Sequence, residues 1–194
     1  MTNAGNDAPS ATHVHGAFGQ WVDDGVSVHR GVTLPPAAAI TVSDRCAAGV
    51  RDDLSGPVLV AALRRAGAAS VVGVLVRDDV DEIQAAVRAQ IDHGCRLIFT
   101  TGGTGLAPRD VTPEAVGALI ERLVPGLADG IRASGAAHTA MGALSRGVAG
   151  VTGQTLIVTL PGSPGAVTDA MAYLSPLLPH IMSQLAGGDH DVTP

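Results

Sequence analysis

The stretch Cys95–Pro113, CRLIFTTGGTGLAPRDVTP, decides how the rest of the chain is read. Leu97, Ile98 and Phe99 form a short apolar, β-prone run of the kind that becomes a buried strand. It leads straight into Gly102, Gly103 and Gly105, where the backbone can turn sharply and approach a ligand with no Cβ in the way. Val111–Val124 then reads as a helix with Pro113 near its first turn. Backbone N–H groups at such a junction are placed for an anion such as phosphate. Asp110 follows the last glycine and carries the charge that phosphate avoids, which points to a metal or to a polar donor on the ligand. The plainer alternative is a glycine turn with Asp110 or Thr112 capping the helix. Thr100, Thr101 and Thr104 add hydroxyls able to donate or accept. GGTG has neither the GxGxxG spacing of a dinucleotide site nor the GK[ST] ending of a P-loop.

Outward from this stretch the chain alternates strand and helix. Ala37–Val42 (AAAITV) is the first expected strand. Ser55–Gly67 reads as a helix with Ser55 as N-cap, Pro57 in its first turn and Gly67 as its stop. Val71–Val76 is the second strand, and Asp79–Gly94 the second helix, with Ile83, Val87 and Ile91 at four-residue spacing. Gly126–Gly135 reads as a short helix and Gly147–Leu160 as two strands turning at Gly153-Gln154. Pro164–Ala186 closes the pattern as an apolar helix interrupted at Pro176 and Pro179. This order predicts an α/β fold with a mainly parallel sheet covered on both faces. Ligands in such folds bind beyond the strand C-termini, near a switch in strand order.

Composition agrees. The chain has 194 residues, 46% hydrophobic but only 2% aromatic, which suits aliphatic α/β packing. Its net charge of −6 argues against a nucleic-acid partner. All 12 basic residues are Arg, so side-chain cation contacts to anions fall to Arg, and lysine nucleophiles are excluded. Cys46 and Cys95 have no disulfide or CxxC spacing and read as buried small hydrophobes. Neither a secretory signal nor a membrane-length apolar run is visible, so a cytoplasmic location with no membrane partner is expected. Residues 1–36 lack periodicity and read as a flexible extension containing His13, His15, His29, Phe18 and Trp21, with residues 189–194 as a short tail.

Four segments follow strand C-termini and should converge on one edge. The first offers Ser43, Asp44, Arg45, Asp52, Asp53 and Ser55; Asp53 and Ser55 are suited to capping, whereas Asp44 and Arg45 sit directly at the strand end and favour a ligand. The second holds Asp78 and Asp79, with Asp79 favoured as the helix cap, aided by Glu82, and Asp78 as the functional acid. The glycine loop is the third. The fourth is LPGSP, in which Ser163 suits a cap on the helix begun by Pro164. Arg146 reads equally as a phosphate ligand, an interface residue or a surface arginine. His138 and His180 lack metal spacing.

These loops together resemble the MoaB/Mog family of molybdenum cofactor biosynthesis proteins, which includes the G domain of gephyrin. The matching pieces are TVSDRCAAGVRDDLSGP (41–57), TTGGTGLAPRDVTPEA (100–115) and LSRGVAGVTGQTLIVTLPGSP (144–164), with the resemblance running from Ala37 to Gly188. It implies one molybdopterin-binding domain over residues 37–188, a three-layer α/β/α sandwich, and assembly as a homotrimer or hexamer. The apolar residues Met171, Leu174, Leu177, Leu178 and Ile181 suit such an interface or, equally, a core. The Mog branch implies molybdopterin adenylyltransferase activity, a nucleotidyl transfer in which molybdopterin and Mg-ATP give adenylylated molybdopterin and pyrophosphate. The alternative within the family is a non-catalytic molybdopterin-binding protein; contacts with other molybdenum cofactor proteins are also implied. The family's functional acids fall on Asp78 (in VRDDVDE) and Asp110 (in APRDVTPE), which also become the candidate Mg²⁺ ligands. Substrate and nucleotide contacts fall on Ser43, Asp44, Arg45, Ser55, Gly56, Thr101, Gly102, Gly103, Thr104, Gly105, Pro161, Gly162, Ser163 and Pro164. Two positions depart from the pattern: Arg77 stands where members often have Pro, and Gly165 where many have Lys.

Overall fold

The computed structural model of the chain describes residues 33–188. The expectations for the extension, including its histidines and aromatic residues, and for the tail lie outside the described residues, apart from 33–36. Within those four, Leu34 is already core: it is buried, bridges Ala68 in parallel, and exchanges backbone hydrogen bonds with Gly67 and Ala69.

A six-stranded sheet carries the fold, in the order β2-β1-β3-β6-β5-β4. Its strands are β1 (Ala37–Val42), β2 (Val71–Val76), β3 (Leu97–Thr101), β4 (Arg122–Leu123), β5 (Ala149–Thr152) and β6 (Thr155–Leu160). β2, β1, β3 and β6 run parallel, while β5 and β4 are antiparallel additions. β1, β3 and β6 are buried along their whole length, which is why their sequences are nearly continuous aliphatic runs rather than alternating ones.

Helices cover both faces, giving three layers. On one face α2 (Ser55–Arg65), α5 (Pro125–His138), α6 (Pro164–Leu174) and α7 (Leu178–Leu185) contribute to a core around Phe99, Leu97, Leu156 and Leu160. On the other, α3 (Val80–Asp92) and α4 (Thr112–Gly117) close over Ile40, Ile98 and Ile157. A four-residue helix, α1 (Asp44–Ala47), follows β1. Each fully buried Leu, Ile or Phe is worth about 1.5–3 kcal/mol relative to exposure, so this double core is the main source of stability.

Three expectations are corrected and one open alternative is decided. The helix expected over Val111–Val124 stops at Gly117, and Arg122–Leu123 instead pairs antiparallel with β5 as an edge strand. Sheet pairing there overrides local helix preference, with Glu121 N and Val124 N also donating to β5 carbonyls. α5 is longer than expected, running to His138. β2 is not covered on both faces: at the sheet edge, Val72 and Leu75 remain exposed. The apolar residues of the closing helices belong to the core, with Met171, Leu174 and Leu178 buried and Leu177 and Ile181 packed against them. The predicted break between those helices is present at Ser175–Leu177, with Pro179 in the first turn of α7.

Candidate functional site

Strand order switches between β1 and β3, because the chain leaves β1 for β2 on one side and returns to β3 on the other. The crevice that this leaves beyond Val42 and Thr101 is where the four polar segments meet.

The glycine loop is forced into shape from three sides. Gly102 (φ +103°) and Gly103 (φ +62°) lie in the left-handed region, where side chains are strained. A Cβ on Gly102 would strike Val42 O; one on Gly103 would strike Thr112 Oγ1 and lie 3.0 Å from Asp78 Oδ1. Gly102 N donates to Leu160 O (3.2 Å), and Thr112 N to Gly103 O (3.1 Å). Arg146 then braces the outside. Its backbone N donates to Thr104 O (2.9 Å), its Nε to Gly105 O (2.7 Å), its Nη2 to Asp110 O and its Nη1 to Glu114. The Arg146 guanidinium holds the Glu114 carboxyl below the usual carboxylate range. Of the three readings of Arg146, none is this role: it fixes the loop from within the chain.

The acids converge on the crevice. Asp44 and Asp78 bond reciprocally across the ends of β1 and β2: Asp44 N donates to Asp78 Oδ2 (2.7 Å), and Asp78 N to Asp44 Oδ1 (3.1 Å). Partial burial pushes the Asp78 carboxyl above its ordinary value, and the Asp44 and Asp110 charges add to this; the Asp44 N–H and Arg109 oppose it. Asp110 Oδ2 accepts from Ala107 N (2.8 Å). Each of the three acids therefore has one carboxylate oxygen uncommitted to a hydrogen bond within the described residues. Among the described residues there is no group of three His, Cys, Asp or Glu able to hold a metal ion alone. That donor set fits Mg²⁺ bound through one or two carboxylates together with water and phosphate oxygens.

Other residues settle into local roles. Ser43 caps α1, accepting from Cys46 N, and Ser163 caps α6, accepting from Ala166 N. Asp79 caps α3 by accepting from Glu82 N, as expected, but Glu82 reaches back to Arg77 rather than to Asp79. Arg77 is thereby tied to Glu82 and is not an anion contact in the crevice. Ser55 is not the cap of α2: Asp53 Oδ1 accepts from Ser55 N (3.1 Å) and Gly56 N (2.9 Å), reaching across Leu54. Thr101 Oγ1 donates to Pro161 O (2.7 Å), tying β3 to the fourth segment. Thr100 is buried in the sheet, away from the crevice lining.

Two cavities flank the glycine loop and share Gly103, Asp110 and Gly162 as their dividing wall. One, of about 190 Å³, is lined by Ser43, Asp44, Arg45, Ser55, Asp78, Thr101, Gly102 and Pro164 among others. The second, of about 560 Å³, takes in Thr104, Gly105, Pro161 and Ser163. Of the predicted site residues only Gly56 lines neither; it is buried, and a Cβ there would collide with the Asp53 carboxylate and Thr41 Oγ1.

A family described as "Probable molybdopterin binding domain" matches residues 38–180. The chain belongs to this family. The "Molybdenum cofactor biosynthesis bifunctional protein" of Synechococcus elongatus is 44% identical over 154 residues, covering 79% of this chain and 48% of that protein. This chain thus spans about half of that relative's length. "Molybdopterin adenylyltransferase" of Helicobacter pylori is 30% identical over 151 residues, covering 76% of this chain and 86% of that protein. A crystal structure of a molybdopterin biosynthesis protein from Mycobacterium abscessus superposes with a TM-score of 0.74 at 45% identity, covering 78% of this chain and 96% of the other. The fold and the MoaB/Mog resemblance read from the motifs agree with these findings.

Within this molybdopterin-binding domain the motifs point to one wall of the larger cavity but not the other. The missed side comes from α5 and the 3₁₀ turn Ala140–Leu144, with Ile131, Thr139, Met141 and Leu144. A signal was present in the sequence: Gly135 and Gly142 let these two segments pack backbone to backbone, since a Cβ on Gly142 would meet Gly135 C and Ala136 N.

Proposed function

We propose that this chain is a molybdopterin adenylyltransferase of molybdenum cofactor biosynthesis. The observation that carries the reading is the pair of cavities divided by the Gly102–Gly105 loop, with Asp78 and Asp110 beside it. A two-substrate transfer needs two adjoining subsites with the reacting atoms at their boundary. The names of relatives sharing the domain support the same reaction class.

In this reading the terminal phosphate oxygen of molybdopterin attacks the α-phosphorus of ATP. The new P–O bond forms as the bond to the β-phosphate oxygen breaks, and pyrophosphate leaves. Little covalent chemistry falls to the protein, whose contribution is positioning and charge. The glycine loop presents backbone at close range; Asp78 and Asp110 hold ligand polar groups or Mg²⁺ through their uncommitted oxygens. Mg²⁺, where bound, would offset the charge of the crowded phosphate oxygens. Ser43, Ser163 and Pro164 hold the ends of the first and fourth segments in place.

The deciding experiment mixes the protein with molybdopterin, ATP and Mg²⁺ and follows pyrophosphate and adenylylated product. Release should require all three components, and Asp110→Ala should lower turnover at least ~100-fold with the fold intact. Unchanged turnover in that variant removes Asp110 from the site. One observation favours a second reading, a binding-only protein: Gly165 leaves open space in the larger cavity where many relatives are expected to place a lysine. Molybdopterin binding by calorimetry without any adenylylated product would establish it. Assembly as a homotrimer or hexamer in the cytoplasm completes the proposal. Its support is now the exposed Val72 and Leu75 of edge strand β2 rather than the closing helices; a monomer by light scattering at micromolar concentration would refute it. Among the described residues, no helix is long and apolar enough to cross a membrane.

A further inference from the structure

The chain has no lysine, so every cation that could meet a phosphate is an arginine or a histidine. Most described arginines are committed elsewhere. Arg77 is held by Glu82, Arg88 by Gln84, Arg132 by Asp129 and the Gly147 carbonyl, and Arg146 by the glycine loop. Arg96 and Arg122 donate to backbone carbonyls. The guanidiniums of Arg45, Arg51 and Arg109 make no hydrogen bond or ion pair within the described residues, nor do those of Arg64 and Arg65, but only the first three residues line the smaller cavity.

Their lack of partners is not for want of nearby acids. Asp44, Asp52, Asp53, Asp78 and Asp110 line the same cavity; four of them turn one carboxylate oxygen to backbone N–H groups, and none bonds a guanidinium there. The guanidinium N–H donors are left without acceptors, although five aspartates in the same lobe supply opposite charge. The larger cavity has only Arg132 as a lining cation besides its rim, and that side chain is engaged by Asp129 and by carbonyls. Uncommitted guanidinium donors are therefore concentrated in one of the two lobes.

We propose that Arg45, Arg51 and Arg109 form a polyphosphate clamp in the smaller lobe, binding the β- and γ-phosphates of a nucleoside triphosphate and the pyrophosphate that leaves. Guanidinium groups suit this task because their planar donor fork matches two phosphate oxygens at once and their charge is fixed at any physiological pH. The assignment also orients the reaction: the leaving group faces α1 and the loop before α2, and the α-phosphate lies toward the glycine loop. It rests on the nucleotide-transfer reading, but direct binding tests it separately.

Inorganic pyrophosphate, ATP and AMP are titrated calorimetrically, with and without Mg²⁺, into the full chain and into Arg51→Gln, Arg109→Gln and the double variant. Arg64→Gln/Arg65→Gln provides a control of equal charge change, since these arginines sit in the last turn of α2 and line neither cavity. Thermal unfolding verifies that each variant is folded. The double variant should bind pyrophosphate and ATP at least about tenfold more weakly, with AMP altered less than about twofold and the control unchanged. Three results overturn the clamp: pyrophosphate affinity equal in wild type and double variant, an equal loss in the α2 control, or no pyrophosphate binding by the wild type. An AMP loss as large as that for pyrophosphate overturns the β,γ assignment. Arginine-dependent pyrophosphate binding without adenylylated product supports the clamp while refuting the transferase; product formed with an unchanged KM for ATP in the double variant does the reverse.

Discussion

The loops after β1 and β3 meet at the same crevice but are built on opposite principles. The glycine loop has its path fixed by excluded volume at Gly102 and Gly103 and by three donors of Arg146. The first loop is held mainly at its ends, by the Ser43 cap, the Asp44–Asp78 exchange and the Asp53 contacts to α2, and leaves Arg45 and Arg51 exposed between them. One loop offers preformed backbone; the other offers long charged side chains that can adapt to a ligand. Preformed geometry avoids an ordering cost on binding, whereas flexible arginines must lose rotamer freedom when they close on an anion.

The largest effect should come from attacking the preformed loop. Gly103→Ala places a Cβ against Thr112 at a positive φ, and should destabilise the protein by about 3 kcal/mol by denaturant melting. A near-wild-type midpoint would show that the loop yields, and would weaken the contrast. Next, Arg146→Ala against Asp53→Ala compares the two braces. Arg146→Ala frees two carbonyls and should cost about 2 kcal/mol, while Asp53→Ala loses a cap-like contact worth about 1 kcal/mol. Equal losses would mean that both loops depend alike on one brace.

The smallest effect is electrostatic. In the proposed function Asp78 acts in its ionised form, and its carboxyl lies above the ordinary value. Activity should therefore rise with pH through that raised value. Asp44→Asn keeps the Asp44 N–H but removes a like charge, so the acid limb of kcat/KM should move to lower pH. The linkage has the corresponding sign: because folding favours the protonated form, Asp78 opposes stability increasingly as pH rises from the ordinary carboxylate range through its folded value. Asp78→Asn should raise the Tm above that window and leave it unchanged below. An acid limb that stays in place in Asp44→Asn would remove the coupling between the first and second segments.

Much of this was legible in order of residues. The aliphatic runs of β1, β3 and β6, the Asp79 and Ser163 caps and the proline break before α7 follow from local propensity and were read correctly. The short β4 was not, because two residues carry no strand period and exist only by pairing with β5. The role of Arg146 was not, because the loop acceptors of its side chain are backbone carbonyls 36 and 41 residues away, which leave no mark in side-chain identity. Nor was the capping of α2 by Asp53 over Ser55, a choice between adjacent residues that the path of the loop decides.

By itself, then, the sequence determined the α/β layering, the meeting of the polar segments at the strand ends and the nearness of a glycine loop to Asp78 and Asp110. Periodicity, turn chemistry and motif spacing are local properties, and those features depend on them. The tertiary structure alone decided which arginines are spent as braces and which remain open to a ligand. That distinction depends on which carbonyls and carboxylates come within hydrogen-bond reach after folding, and all arginines are alike until then.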